Sequence, residues 1–279
     1  MKANILIGIV ILLLIGVVFL VIRRIRTSQE VRKIWRLCAT QHSASTQQYF
    51  TEEMIAGLPA PTQRYFLHAI APGTLLPTSV TLDMQGQFRL GKDKPWLAMQ
   101  AQEILTSQGF VWLANIGRGL LQGGDYYING LGGVQFSLWG LLPVANIHNQ
   151  DTARASIGRL ACEFLWLPSA LLPQHGVEWA AIANNTIQAS LKIDDQPVTL
   201  TLVIDADGKL LEISLPRWSN YTEDGTWAYI PFGGKCQAEK TFGGLTIPYQ
   251  VNVGWWFGKD NYFDFFQATI QQVEFDHRQ

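Results

Sequence analysis

From residue 79 onward the hydrophobic pattern has a period of two, and most connections between successive runs are too short to hold a helix. Val80, Leu82, Met84, Phe88 and Leu90 alternate with Thr81, Asp83, Gln85, Gln87 and Arg89, which gives a strand one apolar and one polar face. The alternation returns over 110–116, 134–138, 187–193, 198–204, 211–215 and 247–255. Turn signals stand between these runs: Gly123-Gly124, Asp194-Asp195, Asp205-Ala206-Asp207-Gly208, Gly233-Gly234 and Gly243-Gly244. Strands joined so tightly pair antiparallel, so the pattern predicts a meander and excludes a doubly wound sheet. One long helical pattern interrupts it, with Asp151 as its cap, Ile157, Leu160, Ala161 and Phe164 along one side, and Pro168 and Pro173 closing it. The expected fold is α+β and mainly β: a large curved antiparallel sheet, a half-barrel-like meander, packed on one inserted helix and preceded by an N-terminal transmembrane helix. Such a sheet encloses either a packed core or a hydrophobic cavity, and the pattern is compatible with both.

The transmembrane expectation rests on Ile5 to Ile22, 18 residues without a charged or polar side chain. As a helix they span about 27 Å, close to the hydrocarbon thickness of a bilayer. The run ends directly in Arg23-Arg24-Ile25-Arg26 rather than in a small-residue cleavage site, which favours an anchor over a signal peptide. Up to residue 40 there are seven basic residues and one acid, a formal +6; the chain as a whole carries −1, so the remainder is −7. An acidic domain lacks the basic patch that displaces phosphate counterions, so nucleic acid is not expected as a partner. The basic flank after the span places the bulk of a single-pass chain on the cytoplasmic side. Three widely spaced cysteines, Cys38, Cys162 and Cys236, form no disulfide framework, and none has metal-ligand spacing.

The chain therefore divides into an anchor with its basic flank (1–26), a juxtamembrane helix and polar linker (27–48), and one β-rich domain opening with short helices (49–279). In the second segment Val31, Ile34, Trp35 and Cys38 recur at helical spacing, with Arg32, Lys33 and Arg36 on other faces. Two placements suit this helix: on the bilayer, with its basic residues at the headgroups and Trp35 at the interface, or packed on the domain. Two short helices follow, one closed by Gly57 and one opened by Pro61 and stopped by Pro72-Gly73.

Several local motifs carry a resemblance. They are Leu58-Pro59 with Gln63-Arg64-Tyr65; Gly109-Phe110-Val111-Trp112; Asp125-Tyr126 leading to Gly130-Leu131-Gly132; Arg159 with Glu163-Phe164-Leu165-Trp166-Leu167-Pro168-Ser169-Ala170-Leu171-Leu172-Pro173; and Gly176-Val177-Glu178-Trp179. On these the chain resembles, from about Leu58 to its end, a bacterial family of uncharacterised proteins, a domain of unknown function often found after an N-terminal membrane segment. Leu167 stands where the family more usually has an aromatic, and Cys162 where it has a small apolar residue. The resemblance implies the fold and no reaction. More loosely, a helix in a curved sheet is similar to the half-barrels of bacterial lipoprotein carriers and lipid-binding lipoproteins, an analogy of fold that transfers no activity.

Arg159, Glu163 and Trp166 fall at i, i+4 and i+7, one face of a helix away from the Ile157–Leu160–Phe164 stripe. An Arg–Glu pair beside an aromatic ring can anchor a ligand headgroup, tune a carboxylate for proton transfer, or serve as a structural ion pair. With Trp112, Tyr126 and Trp179 these residues form the candidate ligand pocket. His148 and His175 flank the helix, but with Cys162 and Glu163 they have no metal-ligand spacing, so neither metal nor cofactor is expected. Enzyme signatures such as a Gly-x-Ser-x-Gly elbow or a phosphate loop do not occur. Ten tryptophans are simplest as core filling, with an aromatic-lined pocket as the alternative. Trp255 and Trp256 are adjacent, so on a strand they point to opposite faces and Trp256 becomes a candidate membrane or partner contact, with Arg23, Arg24, Arg26, Arg32, Lys33, Trp35 and Arg36. The expected function is a membrane-tethered, non-enzymatic domain that binds a lipid-like or other apolar ligand near the bilayer. The alternatives are an accessory or assembly subunit docking on a membrane protein complex, and an enzyme that uses the helix-borne Arg/Glu pair.

Overall fold

The computed structural model describes residues 31–39 and 48–277, with isolated positions 7, 11, 16, 18 and 20. Among them no helix is long and apolar enough to cross a membrane. Apart from those isolated positions, the expected span over 5–22, together with Arg23, Arg24 and Arg26, lies outside the described residues, as does nearly all of the polar linker.

The domain is one antiparallel sheet of thirteen strands: β1 (Ser79–Phe88), β2 (Leu97–Thr106), β3 (Gly109–Ile116), β4 (Leu121–Ile128), β5 (Leu131–Leu138), β6 (Leu142–Ile147), β7 (Glu178–Ala183), β8 (Thr186–Ile193), β9 (Gln196–Ile204), β10 (Leu210–Ser219), β11 (Ala228–Phe242), β12 (Leu245–Trp255) and β13 (Phe263–Asp276). Their order is β6-β5-β4-β3-β2-β1-β13-β12-β11-β10-β9-β8-β7. Two meanders, β1–β6 and β7–β13, are thus fused where the first strand pairs with the last, from Ser79 opposite Asp276 to Phe88 opposite Phe266. Gly123-Gly124 and Gly233-Gly234, expected as turns, lie inside β4 and β11. A Cβ at Gly124 would stand 1.8 Å from the Trp112 carbonyl oxygen, so the glycine answers a close approach of backbones.

Three helices accompany the sheet: α1 (residues 31–39), α2 (Ala60–Ala69) and α3 (Gln150–Glu163). Asn149, not Asp151, caps α3, its side chain accepting the Thr152 N–H at 2.8 Å; Asp151 instead accepts the Trp218 indole N–H. The helix ends at Glu163, before the prolines, and the next residues turn through tighter 3₁₀ pieces, Phe164–Trp166, Pro168–Leu171 and Pro173–His175.

The chain leaves the sheet at one edge, β6, and re-enters at the other, β7, with α3 as the crossing. Its contacts lie on β4 and β5 of one wing and β9 and β10 of the other, so the sheet curls around it. Two glycines permit that fit. A Cβ on Gly132 would come 2.5 Å from the Ala153 backbone, and one on Gly158 would come 2.9 Å from the Arg217 side chain. Behind the helix, Phe164 to Leu172 are all buried against the concave face. Ser169 Oγ donates to the Pro77 carbonyl and Trp166 Nε1 to that of Pro248, at 2.8 and 2.9 Å, so the segment satisfies polar groups while burying apolar ones. Of the two interiors open to the sequence, this side is the packed one.

On the convex face α1 lies against the β1–β6 wing. Val31 and Cys38 are buried with Ile104, Val111, Tyr126 and Ile128, and Ile34 and Trp35 pack beside them. Trp35 therefore rests on protein, while Arg32, Lys33 and Arg36 point outward. The Cys38 thiol is pushed up to about 12 by burial.

The two wings also meet at a hairpin. Asp194, in the β8–β9 turn, accepts the Tyr127 hydroxyl and, at 2.8 Å, the Gly130 N–H of the β4–β5 turn. Tyr127 is completely buried apart from this bond. Replacing Tyr127 by Phe should therefore lower the unfolding free energy by about 1–3 kcal/mol, the range for a lost hydrogen bond to a charged group, measured by urea denaturation.

Candidate functional site

The concave face carries a buried charge cluster. Glu103 on β2, Trp112 on β3 and Asp125 on β4 are direct neighbours in register and share that face. Arg159 of α3 lies over Phe110 and Trp112, its guanidinium carbon 4.5 and 5.1 Å from the ring centres. From there its Nε donates to Glu163 at 2.7 Å, Nη1 to Asp125 at 2.7 Å, and Nη2 reaches Glu103 at 3.4 Å. The i, i+4 spacing does bring Arg159 and Glu163 together, and the sheet adds two carboxyl groups that the spacing did not reveal. On the other wing of the concave face Arg217 of β10 lies over Phe232 and Trp255 and donates from Nε to the Ala155 carbonyl at 2.9 Å. Burial, reinforced by the charge of Arg159, lowers it to about 10, so it stays protonated at neutral pH.

Two guanidinium groups thus face three carboxyl groups. Glu103 is fully buried, and its pKa is raised well above the carboxylate range, first by desolvation and then by the negative charge of Glu163, against the opposing pull of Arg159. Desolvation and the neighbouring Glu163 carboxyl thus favour the protonated form of Glu103. Glu103 Oε2 and Glu163 Oε2 are both buried without a hydrogen-bond partner among the described residues. The Trp112 indole N–H is likewise buried without a partner. The cluster joins α3 to β2 and β4, and removing one of its members would strand buried charge.

The other sequence-derived candidates scatter. Trp166 is beyond the end of α3, buried against β12 and away from the Arg159–Glu163 face. Trp179 stands on edge strand β7, donates to the Leu171 carbonyl and packs on Tyr65 and Phe66 of α2. Tyr126 is on the opposite face of the sheet from Trp112, because neighbouring strand residues alternate, and its hydroxyl is 2.9 Å from His148 Nδ1. Trp256 is not on a strand: its backbone turns left-handed (φ +59) where β12 ends, its indole N–H donates to the Tyr221 carbonyl, and it is half-buried against the core. Among the described residues no group of three or more His, Cys, Asp or Glu can hold a metal.

A second site lies on the convex face. A groove of about 730 Å³ runs beside α1, with Val31 and Arg32 in its wall and the outward residues of β13 and β1–β6 as its floor. The floor is built from two rows in strand register. Gln85, Gln100, Asn115, Gln122 and Ser137 are successive partners across β1–β5. One pleat further on, the second row runs from Gln272 through Asp83, Gln102, Leu113 and Gly124 to Gln135 and Asn146. The next row contains Ile104, Val111 and Tyr126 and is the one covered by α1. Nine of the groove's lining residues are Asn or Gln, against one carboxylate, Asp83, and one guanidinium, Arg32. Asp83 is engaged by Gln102 Nε2 at 2.7 Å. At the far end His148 Nε2 lies 2.7 Å from Asn146 Oδ1 and 3.0 Å from Gln135 Nε2. The sequence carried one signal of this site: amides recurring at the outward positions of the two-residue period, as at Gln85.

Residues 56–275 match a family of unknown function, DUF6920. No curated protein matches the chain. Among solved structures, a DUF1329 family protein from Desulfovibrio piger is similar with a TM-score of 0.39 and 8% identity, over 72% of this chain and 86% of that one. A LolA superfamily protein from Nitrosomonas europaea is similar with a TM-score of 0.38 and 8% identity, over 77% and 92%. A domain described as an outer membrane lipoprotein-sorting protein from Vibrio parahaemolyticus gives 0.37 and 10%, over 71% and 85%.

The raised pKa of Glu103 makes stability depend on pH. Glu103 binds its proton more tightly folded than unfolded, so its contribution is fully present below the unfolded carboxylate value of about 4.5 and is lost as pH rises through the raised folded value. The loss is at most ~1.4 kcal/mol per pH unit for one proton. Glu103→Gln, which mimics the protonated form, should flatten this decline and be as stable as the wild type or more so at pH 8. Denaturation midpoints at pH 5 and pH 8 test it; a wild type whose decline matches that of the variant contradicts the raised pKa of Glu103.

Proposed function

The chain belongs to the DUF6920 family, whose function is unknown, and we propose from its own side chains that it is a membrane-tethered, non-enzymatic domain holding the polar part of a lipid-like ligand in the convex groove. The observation that carries this is the placement of the groove. Its wall is α1 at Val31 and Arg32, nine and ten residues after the apolar run that ends at Ile22. Nine residues reach at most about 30 Å, and about 14 Å as a helix, so a bilayer holding that run lies within ligand length of the groove. The concave face, where an apolar ligand was expected, is taken up by α3 and the buried segment behind it.

The lining supports binding over chemistry. Carboxamides neither take up nor release a proton near neutral pH, so they can orient a ligand but cannot perform general acid–base catalysis. The charge bias of the flanking residues favours the cytoplasmic side for the domain. Arg32, Lys33 and Arg36, exposed on α1, are placed to meet anionic headgroups.

A second reading, docking on a membrane protein, is favoured by the β6 edge. One side of this strand has no strand partner, and Leu142, Val144 and Ile147 are exposed along it, with Trp139 (59% exposed) at its turn.

Ser137→Trp, a bulky ring on the groove floor remote from the core, separates the readings. Native mass spectrometry of the full chain, gently extracted from its own membrane, should find lipid on the wild type and about tenfold less on the variant. Bare wild-type protein, or equal lipid on both, overturns the groove as the ligand site. A stoichiometric protein partner in place of lipid supports docking.

A further inference from the structure

Resting on the groove as the ligand site, we propose that the group it recognises is neutral and polyhydroxylated: the ring or rings of a carbohydrate. A soluble surface is usefully built with charge of both signs interspersed, on roughly 25–35% of its positions in design practice. Here the outward rows are carboxamides, and the single Arg32 and single Asp83 offset each other. Among the described lining residues a phosphate or a carboxylate finds no cluster of cations, and an ammonium no cluster of carboxylates.

The amides are also available. Among the described residues the side chains of Gln85, Gln100, Asn115 and Gln122 have no hydrogen-bond partner, although they stand side by side across four strands. Gln135 goes further: it is 4% exposed, lines the groove, and its Oε1 is buried with no partner. A carboxamide offers a carbonyl acceptor and two N–H donors close together, and a hydroxyl group both donates and accepts, so a row of one pairs naturally with a row of the other. An alkyl chain laid on the same floor would bury these groups unpaired, at about 1–3 kcal/mol each, so the acyl part of a lipid does not belong there.

The arrangement argues against a peptide as well. A peptide strand satisfies its main chain by adding to a sheet edge, whereas these amides are side chains on the convex face, in two rows that run across β1–β5. A compact ring system meets both rows at once. The volume, about 730 Å³, is within the range that encloses ligands of a few rings. Gly124 and Ser137, two small residues, line the floor, and Leu141, Pro143 and Ala145 line the groove on the β6 side. The sugar has two sources, the headgroup of a membrane glycolipid or a free saccharide.

The test is hydrogen–deuterium exchange on the full chain in phosphatidylcholine nanodiscs, read over residues 97–147. One arm adds diglucosyl diacylglycerol to the discs, a second adds free maltose, and a third adds phosphatidylglycerol. Saturable slowing of exchange is expected with a sugar and not with phosphatidylglycerol. Slowing by the glycolipid alone assigns the source to a headgroup; slowing by both probes assigns it to the saccharide itself. The double variant Gln100→Leu/Gln122→Leu, altered at two outward positions that leave the core intact, should bind the same probe about tenfold more weakly with an unchanged unfolding midpoint. No slowing by either sugar, slowing by phosphatidylglycerol, or undiminished binding by the double variant overturns the proposal. If Ser137→Trp still strips co-purifying lipid while neither sugar slows exchange, the groove stands and its carbohydrate specificity falls; if Ser137→Trp strips nothing, both fall.

Discussion

The pairing of β1 with β13 is the constraint on which the rest of the molecule depends. Every other ladder joins strands consecutive in the chain, but this one brings residue 79 to residue 276 and so closes nearly the whole domain into a single loop. Without it there would be two separate meanders, each with an apolar face to cover. Such a non-local ladder is entropically costly to form first, and it places the domain among slow-folding topologies. Once it forms, the remaining route of the chain is constrained: β6 and β7 become the two edges, and the segment between them has to cross the concave face. The curl of the sheet follows from that crossing, since only a curved sheet touches α3 with β4 and β5 on one side and β9 and β10 on the other.

The crossing also explains why charge is buried at the centre. A helix that traverses a sheet of thirteen strands has apolar partners all along it and little to fix its rotation or depth. Arg159 supplies that. Its three directional bonds reach Glu163 on its own helix, Asp125 on β4 and Glu103 on β2, while its flat face rests on Phe110 and Trp112. Ion pairs of this kind contribute less to net stability than to a single arrangement, because desolvation offsets much of their attraction. Retaining one proton on Glu103 reduces the desolvation by leaving one group fewer to bury charged. The cluster reads as the lock of the crossing, with the titration of Glu103 as its side effect.

The same residues account for what was legible in the sequence. Strands with an unbroken alternation, such as 187–193 and 198–204, are where the pattern put them, and the tight turns at Asp194-Asp195 and Gly243-Gly244 are turns. Strands that escaped have a physical reason for doing so. In β2 the inward series Met99, Ala101, Glu103, Leu105 contains a carboxyl group, so it does not read as apolar. β4 is broken by two glycines that answer backbone approach, and β11 and β13 contain bulges, at 236–239 and opposite Asp83/Met84, that shift the phase of the alternation midway. The Arg159–Glu163 pair was legible because helical spacing is local; Glu103 and Asp125 were not, since only the sheet register brings them to it. Trp256 misled because two adjacent tryptophans look like opposite faces of a strand, whereas a left-handed turn ends the strand between them.

The convex face shows the limit of the alternation rule most clearly. A period of two separates inward from outward residues, and outward polar residues are then taken as solvated. Register adds a second dimension: on the β1–β6 wing the outward residues sort by row, with one apolar row under α1 and two amide rows beside it. Had polarity been placed only to face water, there would be no reason for the rows to differ so sharply or for charge to be almost absent from two of them. The sharpness of that division, on the wing that carries α1, is what ties the groove to α1. The helix covers the row that water disfavours and leaves open the rows that can exchange their hydrogen bonds with water for those of a ligand.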